Sequence, residues 1–512
     1  MHRLDEFSLM ERALELGALS VAAMLALRIL LMPAARRELR EQPRHTAFLV
    51  VVALATFAVL AWAAVRSPIV LRSMAIAAVV CVAFFAWRSR PTFGRSRSRP
   101  PGSLSLKNSL DAIVDRSFYA GQVRRHGPVF KMAQFHQPVA CIVDIGKGRE
   151  LLKRASESLV LAPLPISDEI PRGFIRYMKP DDYALYSRLF RSAFSVGVLD
   201  ANRDFARDVV CRELGHLAAT CEGAQPGGID PRESVARLTL TVLLRVYFGD
   251  RLTPGDQGVI ENCCRDIGSD KPMMRAGSSA RLALHTFDRL IRDRCTGGSF
   301  SHADVSTVWG EVLRLRPESG SDSTAIGNLL LLLEASRDSI GGLLMWILKN
   351  LAESPEAVEM VRSVKNGADS AEDPVVLESL RLAQSEYVYR KVTKPIEFEG
   401  FVIPARWFIR ICVAEAHQQD PPFDRPEVFD PMRFVDRRFS RDEFSPFGLD
   451  HHACLGAQLT MLVSRAFVDV LARDFDVRTV IDGPPERGNR HWNHWRPSSK
   501  LRVALSHRGT SS

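Results

Sequence analysis

"FGLDHHACLG", Phe447 to Gly456, is the stretch on which the reading of this chain turns. It holds one cysteine, two adjacent histidines, an aspartate and two glycines. Cys454 has three candidate roles: zinc ligand beside its histidines, buried structural thiol, or axial ligand to something larger. Zinc asks for four tetrahedral ligands. His451, His452 and Cys454 are too crowded to supply three, and no second Cys/His cluster of recognised spacing accompanies them. The stretch that follows, "LGAQLTMLVSRAFVDVLARDF", has the apolar pattern of a helix. A thiolate at its N-terminus is favoured by free N–H groups and the helix dipole.

The residues upstream decide between these roles. "EDPVVLESLR" places Glu378 and Arg381 three apart on one helix face, where they can pair. Asp373 reads as the N-cap of that helix and Pro374 as its first residue. On its own the pair reads equally as an exposed surface contact, which is worth little. "IEFEGFVIPARWFIRICVAEAHQQD" alternates like strands around a turn, and "FDPMRF" supplies Arg433. "DPRESVARLTLTVLLRVYFG" and "TAIGNLLLLLEASRDSIGGLLMWILKNLAESPE" read as helices, the second apolar on most sides and so buried. Arg337, Asp338 and Ser339 interrupt its apolar run, followed by Gly341 and Gly342. Such residues are poor helix formers. They point to a cavity, a proton path or a local bulge; alternatively, Arg337 and Asp338 face solvent.

The chain has 512 residues, 46% apolar and 25% charged, with a net charge of +9. That length exceeds one ordinary domain. The nine cysteines are scattered without framework spacing, which argues against a secreted disulfide scaffold and for reduced thiols. No basic stripe with interleaved aromatics is present, so nucleic acid is not an expected partner. Much of the positive excess flanks three apolar runs, Leu16–Met32, Ala47–Val65 and Ile69–Trp87. A helix of roughly 20 apolar residues spans a bilayer. Ala47–Val65 has no charge; Arg28 and Arg72 sit near the ends of the other two and can snorkel. The expectation is an N-terminal membrane region over residues 1–90 with three transmembrane helices, one or two spans plus an interfacial helix being the alternative. Arginines cluster at Arg36–Arg44 and after Arg88, which puts the N-terminus outside and the remainder in the cytoplasm, in contact with membrane lipid. Residues 91–107 read as a basic, Pro/Ser-rich linker, and 108–512 as the soluble domain.

Taken together, these segments resemble the cytochrome P450 family, the heme-thiolate monooxygenases. Order and spacing carry the resemblance, over about Asn108 to Val480. "FGLDHHACLG" is similar to the family's heme loop at Phe447, Gly448, His452, Cys454 and Gly456. "ESLR" is similar to its E-x-x-R helix. "FDPMRF" matches the segment whose arginine, here Arg433, completes a Glu–Arg–Arg triad. "ASRDSIGGLLMW" matches the oxygen-activating helix, with Asp338 and Ser339 as acid–alcohol pair. "HGPVFKMAQFHQPVACIVD" resembles the first strands.

The resemblance implies a mostly α fold with small β-sheets and heme b held by the Cys454 thiolate. A thiolate ligand favours O–O cleavage. Gly448 and Gly456 would let the backbone approach porphyrin and sulfur, and Phe447 would shield the sulfur. His452 and Arg390 would contact heme propionates. The implied activity is insertion of one atom of O2 into a lipophilic small molecule. Electrons would come from a separate donor, ferredoxin with its reductase or a flavin reductase. A peroxygenase or isomerase, and a non-catalytic heme-binding membrane sensor, are the alternatives. Three segments depart from the family pattern. Asp450 replaces a usual glycine. Ser336 and Ser339 replace the usual glycine and threonine of the oxygen-activating helix. In "DDYALYSRLFRSAFS", Tyr183 is followed four residues on by Ser187 rather than an arginine, with Arg188 one position off as candidate heme contact.

Overall fold

The computed structural model describes residues 99–512, apart from 135–136, 162–168, 224–226, 270–277, 297–305, 365–371, 385–387, 488–494 and 510–512. The three apolar runs expected to cross a membrane lie outside the described residues. Among the described residues no helix is long and apolar enough to cross one.

The chain groups into two compact units. In the smaller, described over 101–112 and 131–138, β1 (Gly102–Ser103) runs parallel to β2 (Val129–Gln134). Gly102 has φ +110, and a Cβ there would meet the Lys131 carbonyl oxygen at 2.3 Å, so only glycine lets the strands approach.

The larger unit, 113–130 and 139–509 as described, is mostly helical with small sheets. Strands β3 (Gln137–Ile142), β8 (Phe408–Ile411), β5 (Val388–Val392) and β4 (Leu159–Leu161) lie side by side in that order. β3 pairs parallel to β8, and β5 antiparallel to both β8 and β4. β6 (Ile396–Phe398) and β7 (Phe401–Ile403) form a hairpin that turns at Glu399 and Gly400, inside the stretch expected to alternate like strands. Near the C-terminus β9 (Phe475–Ile481) pairs with β12 (Arg502–His507), and β10 (Glu486–Arg487) with β11 (Trp495–Arg496).

The helices that place the site are α1 (Ile145–Arg154), α2 (Pro180–Ala193), α3 (Arg232–Phe248), α4 (Ser323–Glu353), α5 (Glu372–Ser379) and α6 (Ala457–Asp474). α4 is the axis of the core. Asp322 caps it, its carboxylate accepting from the Thr324 N–H at 2.8 Å, and Ser354-Pro355 ends it. Its leucines pack with Val242 and Val246 of α3 and with Leu459, Val463 and Phe467 of α6. Each such side chain, fully buried, contributes roughly 1.5–3 kcal/mol, which offsets the poor helix formers at 336–342.

Two local expectations are corrected. The apolar helix carries no bulge at Arg337–Gly342: α4 is continuous for 31 residues. Arg337 is instead paired at 2.6 and 2.9 Å with buried Glu334, one turn back. Asp373 does not cap α5, which already includes Glu372; its carboxylate receives Arg465 of α6 at 2.5 and 2.8 Å. The segment after α5, Leu380–Gln384, turns as a π-helix, a wide turn frequent at functional sites.

Candidate heme-thiolate site

Glu378 and Arg381 are both fully buried. Arg381 Nε and Nη2 reach the two Glu378 carboxylate oxygens, each at 2.7 Å, and Arg433 Nε reaches Glu378 Oε1 at 3.1 Å. The expected triad is therefore present as a core ion cluster, and the surface-pair reading is set aside. The remaining donors of Arg381 end on the carbonyls of His417, Pro426 and Val428 at 2.8–3.1 Å. Every end of the buried guanidinium is matched, as a desolvated charge requires.

His417 connects this cluster to the cysteine loop. Its carbonyl takes Arg381, and its Nε2 accepts the Ser445 N–H at 3.0 Å. The Ser445 carbonyl in turn takes the Gly448 N–H at 3.3 Å. Sequence reading missed His417, because a histidine in a polar "HQQD" stretch carries no periodic signal. Burial, then the Arg381 charge, push its imidazole down to about 3, so it is neutral in the fold and can accept. The unfolded chain takes up that proton near pH 6.5, the folded chain only near 3. The stability held in a neutral His417 is complete above pH 6.5 and lost as pH falls toward 3, on the order of 5 kcal/mol in all. Urea midpoints should therefore fall between pH 7 and pH 4, and His417→Gln, which keeps an acceptor but does not titrate, should flatten that slope. An unchanged slope in the Gln variant would remove His417 from this role.

Arg149 of α1 holds the same loop from outside. Its guanidinium bonds the Leu449 carbonyl at 2.5 Å, the Arg441 carbonyl at 2.7 Å, Asp442 at 2.7 Å and Ser445 Oγ at 3.0 Å. Within the loop the Cys454 N–H bonds the Phe447 carbonyl at 2.7 Å and the Ala453 N–H bonds the Asp450 carbonyl at 3.0 Å. Gly448 has φ +105, with a Cβ position 3.2 Å from Ala453 Cα, so this turn needs glycine. Cys454 is exposed and lies three residues before the first residue of α6, rather than beginning it. Phe447 is half-buried against the core. Among the described residues no group of three His, Cys, Asp or Glu side chains is placed to hold a metal ion. The His451 and His452 rings pack on Tyr183 at 5.6 and 4.2 Å.

Gly456 joins loop and core helix. A Cβ there would lie 3.8 Å from Ser336 Oγ of α4 and 4.0 Å from Cys454 Sγ. Ser336 also shares a hydrogen bond of 3.2 Å with the buried Tyr247 hydroxyl of α3, a contact the sequence did not announce. Beside Ser336, Ala335 is exposed, while every other residue from Thr324 to Leu351 is buried or half-buried. One turn on, Asp338 and Ser339 are half-buried. Arg496 of β11 holds Asp338, its Nη2 reaching Oδ2 at 2.7 Å and the backbone carbonyl at 3.0 Å. Asp338 is thus held by an ion pair with 26% of its side chain exposed. Sequence reading missed Arg496, which lies 158 residues away.

The other candidate residues divide. Arg390 of β5 is 6% exposed, and its Nη2 bonds Asp450 Oδ2 at 2.5 Å. Asp450 Oδ1 also accepts the His452 N–H at 2.9 Å. Asp450 is not among the residues with positive φ, so it brings no strain, and its charge meets Arg390. His452 has a buried Nδ1 with no hydrogen-bond partner. Burial, then His451, lower its pKa to about 4. Arg188 is exposed on α2. From that helix it is Tyr183, through its hydroxyl, and Arg191, at 3.5 Å, that reach the His451 carbonyl.

An exposed thiol beside a helix N-terminus, an exposed alanine on the buried helix nearby, an orphaned imidazole nitrogen and a buried arginine make a donor set that fits heme b. A flat apolar macrocycle with anionic propionates matches both its apolar and its cationic side.

The family model "Cytochrome P450" matches residues 373–503, the part holding the triad and the cysteine loop. Abscisic acid 8'-hydroxylase 3 of Oryza sativa subsp. indica is 31% identical over 404 residues, covering 71% of this chain and 78% of that one. Abscisic acid 8'-hydroxylase 1 of Arabidopsis thaliana is 28% identical over 410 residues, covering 73% and 85%. Among solved structures, the retinoic acid-bound cyanobacterial CYP120A1 shares the fold with a TM-score of 0.65 at 20% identity, covering 78% of this chain and 96% of that one. The chain therefore belongs to the cytochrome P450 family, and is an oxidoreductase of the heme-thiolate monooxygenase type that carries heme b on a cysteine thiolate.

Proposed function

We infer that Cys454 is that thiolate and that the enzyme inserts one oxygen atom into a lipophilic small molecule. The observation that carries this reading is the approach of the exposed Cys454 and of Ser336 of α4 to the same point at Gly456. Bound heme b supplies oxygen activation. The chain supplies the rest. Phe447, Gly448 and Gly456 shape the loop around the sulfur, and Arg390 and His452 would hold the propionates. Asp338 governs proton entry, with Arg496 fixing its carboxylate, and Ser339 places the proton through its hydroxyl. The rice and Arabidopsis relatives are named for hydroxylating abscisic acid, which favours a small organic substrate here.

Losing the Ser339 hydroxyl should uncouple the reaction: reductant is consumed, peroxide is released and product falls. Asp338→Asn should slow turnover, because a carboxylate that takes and passes a proton is gone. The measurement sets reductant consumption and peroxide beside product for both variants. Unchanged rate and coupling in both would remove the relay and favour a peroxygenase or isomerase. An absence of reductant consumption in the parent would favour the sensor.

A separate ferredoxin or flavin reductase supplies electrons in this reading. Membrane anchoring through residues 1–90, with the heme domain on the cytoplasmic side, rests on the apolar runs and their flanking arginines. Reporters fused at Ser512 and inserted between Arg36 and Arg44 should both read cytoplasmic, and one at Met1 should not. Opposite readings from the loop and Ser512 would reject three spans.

A further inference from the structure

Arg390 is a buried cation on the propionate side of the site, and an anion must match it. That anion is already in the chain. Asp450 Oδ2 lies 2.5 Å from Arg390 Nη2, while Arg390 Nη1 bonds the Tyr389 carbonyl at 2.9 Å. Each terminal nitrogen therefore has one N–H group engaged within the chain, and the one that meets a charge meets Asp450. Asp450 is also the residue that departs from the glycine of the family's loop. Its backbone does not need glycine's freedom, so the carboxylate is what distinguishes this chain. Arg176, on the short turn Ile175–Tyr177, is the other cation within electrostatic reach of Arg390 and His452.

We propose that Asp450 occupies at Arg390 the anion position a heme propionate would otherwise take, and so acts as a built-in competitor that weakens heme retention. The same carboxylate ties the cysteine loop to β5, accepting the His452 N–H at 2.9 Å through its other oxygen. This rests on Cys454 being the heme ligand. The carbon monoxide spectrum of the reduced parent tests that separately.

The test is hemin transfer from the holoprotein to excess apomyoglobin, followed at the Soret band. Asp450→Asn removes the charge but keeps an oxygen for the His452 N–H. It should release hemin roughly tenfold more slowly than the parent, the factor a single freed ion pair of modest worth supplies. Arg390→Gln placed on top of Asp450→Asn should erase the gain. So should reconstitution of parent and variant with hemin dimethyl ester, which has no carboxylates. Equal or faster release from Asp450→Asn overturns the proposal. A gain that survives esterification also overturns it, since loop structure and not propionate competition would then be the cause. An Asp450→Asn protein that takes up no hemin overturns it as well, because the carboxylate would then be required and not competing.

Discussion

Cys454→Ser is expected to abolish the red-shifted Soret band of the reduced, carbon monoxide-treated protein. Serine is nearly the same size, so the loop bonds from Cys454 N–H to the Phe447 carbonyl and from Ala453 N–H to the Asp450 carbonyl need not change. What is lost is a soft thiolate that pushes electron density onto iron. Substitution of any of the other eight cysteines should leave the band in place. Cys141, Cys263, Cys264, Cys295 and Cys412 are buried. Burial, foremost, pushes the Cys141, Cys263 and Cys264 thiols up, the opposite of what a metal-binding thiolate needs. A normal band in Cys454→Ser would refute the ligand assignment.

Glu378→Ala should cost roughly 3–5 kcal/mol, the usual penalty for stranding one half of a buried ion pair. Arg381 is wholly buried, and without Glu378 two of its bonds at 2.7 Å vanish while its charge stays. The damage then spreads along one line. Arg381 holds the His417 carbonyl, and His417 holds the Ser445 N–H beside the cysteine loop. A domain has only about 5–15 kcal/mol in hand, so the variant is expected as heme-free, aggregated protein. Arg433→Ala should be milder, since Arg433 reaches Glu378 through a single longer bond and lies at the cluster's edge. Soluble Glu378→Ala holoprotein with the parent's urea midpoint would show that the cluster does not support the loop.

Two classes of feature were legible in the sequence. Those carried by local pattern are the helices of "DPRESVARLTLTVLLRVYF" and "TAIGNLLLLLEAS", the strand alternation that begins at "IEFEGFVI", and the Glu378–Arg381 spacing. Apolar period, turn chemistry and i,i+3 spacing are properties of neighbours along the chain, so they survive without a fold. Those carried by order and spacing are the family and its cofactor. Where the local pattern misled, a tertiary partner had taken over. Asp373 has N-cap chemistry but turns to Arg465, and the polar groups at 336–338 are met by Tyr247 and Arg496 from other elements, with Glu334 one turn back on α4 itself.

The sequence by itself determined the family and the helical class, and it singled out Cys454, Asp338 and Ser339 as the residues to test, because each is a residue type at a set spacing. Only the tertiary structure decided what each charge faces. It set Arg496 against Asp338, Asp450 against Arg390, His417 between triad and loop, and Arg149 around the loop. These partners lie tens to hundreds of residues apart. A buried charge or donor is matched by whichever group the packing brings within about 3 Å, and that choice is made in three dimensions, where spacing along the chain carries no information.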